Sequence, residues 1–167
     1  FETELGKLDA EKLGQFRTSA AAGQSTLQTV ASLRSAEKSG VFDGGGASAK
    51  TALANMVYGI TGVEMKELPG SQMFNAQASK LILDQVKTLG ANPSNADREF
   101  IEKTVPNLST SATARAQLLD FMEKKAKSQI ELYKKADSHA RKNSGLSGFD
   151  YLDADQDLSG WLIEERK

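Results

Sequence analysis

Asp153, Asp155, Asp157 and Glu164 stand at the first, third, fifth and twelfth places of a twelve-residue stretch. That is the spacing with which an EF-hand loop sets carboxylate oxygens around calcium. The sixth place of such a loop needs glycine, because the chain turns sharply there; this chain has Leu158, and Gly160 comes two places late. The donors are right and the turn is wrong, so the stretch reads as an acidic arm that docks onto protein, and tight calcium binding is not expected. Gly44-Gly45-Gly46 with Lys50-Thr51 has the composition of a phosphate loop, but Lys50 follows Ala49 where the motif needs glycine, and no strand leads in. The single histidine, His139, lies among Asp137, Ser138, Arg141 and Lys142, with no second ligand or nucleophile to assign to it. It reads as a helix residue near the negative end of the helix dipole. Cysteine is absent, which removes disulfides, thiolate chemistry and Cys-ligated metals. No catalytic set emerges; neither enzymatic activity nor a cofactor is expected.

Charge is uneven along the chain. The net charge is −1 overall, which gives no global reason to expect nucleic acid. Residues 71–145 nevertheless carry twelve basic against eight acidic side chains, and residues 146–167 carry two against six. A basic middle and an acidic tail can pair within the chain or between subunits. Lys124, Lys125, Lys127, Lys134, Lys135, Arg141 and Lys142 are interrupted by Asp120, Glu123, Glu131 and Asp137, which reads as a solvated helix face ahead of a surface for nucleic acid or an acidic partner. Glu131 and Lys135 stand in the favourable i, i+4 order.

These residues must be carried by helices, because no run alternates in the manner of a strand. Leu13, Phe16, Ala20, Gly23, Leu27 and Val30 recur at steps of three and four, predicting one long helix over about 2–38 with a coiled-coil-like seam. Ala20 and Gly23 are small enough to let a partner helix come close. Leu119, Met122, Ala126, Gln129, Tyr133, Ala136 and Ala140 form a second seam in a helix over about 110–143, which contains neither Gly nor Pro. Three shorter helices are predicted between them: about 47–60, about 72–88 capped by Ser71, and one opened by Ser94 with Asp97 three residues on and ended by Pro106. The fold class is therefore all-α: an elongated bundle of two long and three short helices, with an extended C-terminal tail. The expected division is a helical bundle over 1–145 and an acidic arm over 146–167. In that arm Phe149, Tyr151, Leu152 and Trp161 are large apolar anchors. No apolar run approaches the roughly 20 residues that cross a bilayer. The chain opens on Phe1 rather than Met, as expected of a piece of something longer or, second to that, of a processed product.

One ordering of phrases stands out. Gly70-Ser71-Gln72-Met73-Phe74-Asn75 is followed by Gly90-Ala91-Asn92-Pro93-Ser94-Asn95-Ala96-Asp97-Arg98-Glu99-Phe100, then by Val105-Pro106-Asn107-Leu108 and the long helix. With Phe16-Arg17-Thr18 and the Gly44-Gly45-Gly46 loop, this resembles a helical module of structural and ejection-related proteins of tailed bacteriophages and prophages. The resemblance covers about two thirds of the chain, and Ala96-Asp97-Arg98-Glu99-Phe100 is its most specific piece. It implies a non-enzymatic virion component near the portal and tail that accompanies DNA into the host. It implies assembly with other copies and neighbouring virion proteins, indirect contact with phage DNA, and residence in the virion after assembly in the host cytoplasm. The expected working surfaces are the two seams and the tail anchors. A helical adaptor that binds a partner helix or peptide is the other reading of the same surfaces.

Overall fold

The computed structural model describes residues 2–40, 42, 48–90 and 92–150. Among them are five α-helices and no strands: α1 Glu2–Lys38, α2 Ala49–Thr61, α3 Ser71–Thr88, α4 Asn95–Thr104 and α5 Ala112–Asn143. A short 3-10 turn, Val105–Asn107, joins α4 to α5. At about 1.5 Å per residue, α1 is a rod of roughly 55 Å and α5 one of roughly 48 Å.

The two rods run antiparallel as a stem. Asp9 meets Leu146, Arg34 meets Asp120 and Glu123, and Glu37 meets Arg115, so positions rise along α1 as they fall along α5. The three short helices pack as a head on one end. There Val30 and Leu33 of α1 and Leu118, Leu119 and Met122 of α5 share a core with Met56, Val57, Ile82, Val86, Ile101 and Val105. The other end of the stem contributes nothing to that core. A two-helix rod buries only one stripe of each helix, so the head supplies the apolar mass that holds the stem together.

Local sequence explains most boundaries. The Ser48 hydroxyl accepts from the Thr51 N–H to start α2, and the Ser111 hydroxyl accepts from Ala114 N–H to start α5. Ser94 and Asp97 form a complete capping box at α4. The expectation for Ser71 is corrected: Ser71 is the first residue of α3, and Gly70 holds the cap position at φ 84° with no side-chain bond. That left-handed backbone conformation suits glycine, and the turn from Leu68-Pro69 takes precedence over a serine cap. Pro106 lies inside the 3-10 turn, two residues beyond Thr104, where α4 ends.

The seam on α1 is also corrected in part. Its buried residues are Ala20, Gly23, Thr26, Val30 and Leu33, whereas Leu27 is only half-buried. Two successive three-residue steps, from Ala20 to Gly23 to Thr26, swing the stripe around the helix. A helix at 3.6 residues per turn drifts by about 20° per heptad against a strict 3.5-residue repeat. The swing carries Leu33 onto α2, where it lies against Gly59.

Candidate interaction site

At the centre of the stem, a methyl group on Gly23 would sit 2.8 Å from the Ala126 carbonyl oxygen and 3.2 Å from Ile130 Cγ1. The helices touch backbone to backbone there, which only glycine permits. The named seam residues fall into two groups. Ala20, Gly23, Val30, Leu119 and Met122 are buried; Leu13, Phe16, Leu27 and Tyr133 are half-buried. Most of the seam is thus closed within one chain, and its outward-facing part is toward the end remote from the head.

Sequence reasoning missed the polar lock at the head end. Arg115 is 1 % exposed. Its Nε and Nη2 donate to both Glu37 carboxylate oxygens at 2.7–2.9 Å, and Nη1 donates to the Leu108 carbonyl at 3.1 Å. The Phe42 ring lies 5.5 Å from the guanidinium. A signal did exist: one step back from Leu119 along α5 falls on Arg115, and one step on from Leu33 along α1 falls on Glu37. Next to it, Arg34 pairs with Asp120 and Glu123. Hydrogen bonds from Lys127 and Arg34 hold the Glu123 carboxyl below the ordinary carboxylate range, against the opposing effect of burial.

A second polar tie joins head to stem. Asp97 is 3 % exposed; its Oδ2 accepts from the Ser94 N–H at 2.9 Å and from Lys125 Nζ at 3.1 Å. One carboxylate therefore caps α4 and anchors it to α5. Replacing Asp97 by Ala is expected to cost about 2–3 kcal/mol, a cap of about 1 plus a charge-assisted bond of about 1.5–3, reduced because Lys125 regains water. Urea unfolding of the variant measures it. A loss below about 0.5 kcal/mol, the range of ordinary surface substitutions, would show that the tie is idle. On the outer face of α5, Glu131 bonds Lys134 at 2.9 Å, an i, i+3 pair.

At the end remote from the head the chain folds back after α5. Ser144 takes the left-handed conformation, and Leu146 is buried with its N–H donating to Asp9 Oδ2 at 2.8 Å. His139 Nε2 lies 2.8 Å from the Ser147 carbonyl oxygen, and its ring meets Phe149 at 5.4 Å between centroids. The lone histidine thus fastens this clasp. Phe149 is half-buried in it; Tyr151, Leu152 and Trp161 lie outside the described residues, as do the carboxylates of the EF-hand-like stretch and the Gly44-Gly45-Gly46 loop. Leu5 and Leu8, beside the clasp, are 47 % and 60 % exposed.

An open groove of about 480 Å³ separates α3 from α4, lined among others by Ser79, Lys80, Asp84, Lys87, Arg98 and Glu102. Its charges are mixed. Among the described residues no three His, Cys, Asp or Glu side chains gather as a metal site. No described helix is long and apolar enough to cross a membrane. No protein-family model, curated protein or solved structure matches the chain.

Proposed function

We propose that the chain is a non-enzymatic structural component of a tailed-phage virion, an ejection or portal- and tail-associated part that works by helix packing and oligomeric assembly. The observation that carries this reading is the position of its most specific phrase. Ala96-Asp97-Arg98-Glu99-Phe100 lies in the first turns of α4, where Asp97 binds Lys125 and the Phe100 ring packs 5.1 Å from that of Phe121. The phrase that resembles the phage module is thus the one that fixes head to stem. Such a rigid stem-and-head unit suits repeated side-by-side packing with copies of itself and with neighbouring virion proteins, with phage DNA touched only indirectly. Its place would be the virion, after assembly in the host cytoplasm.

The exposed Leu5 and Leu8 favour a second reading, a helical adaptor that takes a partner helix along the stem. Two measurements separate the readings. Particles released from the source cell and banded by density should contain peptides of this chain in several copies per particle. The purified chain should form a closed ring of defined mass by light scattering. A chain absent from the particles, and monomeric while binding a single helical peptide, would replace the virion reading with the adaptor one.

A further inference from the structure

Among the described residues none of α1 before Ala20 is buried, and beyond Ile130 α5 buries Ala136 alone. The foot of the stem, residues 3–18 with 131–149, therefore closes mainly on half-covered side chains such as Leu13, Phe16 and Tyr133. None of its residues belongs to the core shared with the head. Two glycines weaken it further. Gly6 and Gly14 lie within α1, and a methyl group on either would meet nothing within 4 Å. Neither a turn nor a close approach calls for glycine there, yet glycine disfavours a helix more than any residue except proline. A helix with so little packing is marginal by itself.

The clasp is what holds the foot closed. Asp9 Oδ2 on α1 accepts from the Leu146 N–H at 2.8 Å, Leu146 is buried, and His139 meets both Ser147 and Phe149. A methyl group on Gly145 would stand 2.7 Å from the same Asp9 oxygen, so the Asp9 bond depends on glycine at that place.

We infer that the foot is a latch: residues 3–18 and 131–149 open together as one unit, at a frequency set by the clasp, while the head and the near half of the stem stay folded. Opening below the free energy of global unfolding is the rule where buried apolar contacts are few. Closed, the latch keeps Leu13, Phe16, Tyr133 and Ala136 at least half covered. Open, it presents them on two helices that remain joined through the head. A latch differs from fraying in one respect. Frayed helix ends come loose independently, whereas Asp9 and Leu146 couple the two helices. The inference concerns contacts within one chain and stands independently of the virion reading.

Native-state hydrogen exchange, followed residue by residue in low denaturant, tests it. Amides of residues 10–18 and 132–143 should share one opening that hardly responds to denaturant, and should exchange at least about 100-fold faster than those of residues 26–36 and 115–126. Asp9→Ala and Gly145→Ala should each speed exchange about tenfold in both helices of the foot, the effect of losing one hydrogen bond to a charged group. Gly14→Ala should slow it about fivefold, again in both helices. Exchange in the head should stay unchanged throughout, which also reports that each variant is folded. A foot that opens only with the whole chain, at the denaturant dependence of the head, overturns the inference. So does exchange indifferent to both clasp variants, and so does a response confined to the helix that carries the substitution, which is fraying.

Discussion

Glu37→Leu is expected to destabilise the protein by about 3 kcal/mol, the lower end of the cost of breaking a buried ion pair by removing one member. Arg115 is enclosed at 1 % exposure, and its guanidinium does not shed a proton to relieve the burial. Glu37 takes three of its hydrogen bonds, and the Leu108 carbonyl and the Phe42 ring also meet the guanidinium. For a chain of this size the melting midpoint should fall by roughly 10 °C, at about 2–4 °C per kcal/mol. The companion experiment replaces both members, Glu37→Leu with Arg115→Met. Apolar side chains of similar volume often match or exceed a buried ion pair, so the double variant should recover most of the loss. Thermal and urea unfolding of the three proteins form the test. A single variant within about 1 kcal/mol of the parent would mean that the Glu37 bonds contribute little to holding Arg115.

Gly23→Leu should open the stem at its tightest point. The substitution faces two opposing effects, and the magnitudes choose between them. Leaving glycine gains about 1 kcal/mol of helix propensity. Against that, even the first carbon would lie 2.8 Å from a backbone oxygen of α5, an atom that cannot rotate away. Overpacking of this kind costs about 1–3 kcal/mol and occasionally more. Gly23→Ala should therefore come out near neutral to about 2 kcal/mol unfavourable, and Gly23→Leu about 3 kcal/mol unfavourable, with the remote half of the stem losing helix first. Circular dichroism and hydrogen exchange along α1 and α5 would show it. If Gly23→Ala proved stabilising, the helices must be able to part there without loss, and the close approach would carry no energetic weight.

Why some of this was legible and some was not follows from what each residue answers to. Long stretches without Gly or Pro, and steps of three and four, identify α1 and α5 because those signals are local and repeated. Ser94 and Asp97 read correctly as a cap for the same reason, since both partners lie within one turn. Ser71 did not, because the backbone of the preceding Pro69-Gly70 turn determines the cap. The burial of Thr26, with Leu27 only half-buried, depends on how α1 is rotated against its neighbours, and that is a tertiary matter. Arg115 and Glu37 sit at seam positions where an apolar side chain is the usual occupant, so each alone looks like the end of a pattern. Only together, on facing helices, do they form a bonded pair. Asp97 shows the reverse: its cap was visible in sequence, but its bond to Lys125, 28 positions away, was not.

The antiparallel stem has a consequence for how the module could be strung into a longer polypeptide. Because Asp9 and Leu146 touch, the described chain enters and leaves side by side, with the head about 35 Å away. A segment arranged in this way is a side branch: the backbone path advances by about 8–10 Å, one interhelical spacing, while the mass projects outward. Branches of that kind can be added to a scaffold without lengthening its trunk, and their spacing along it is free of their own size.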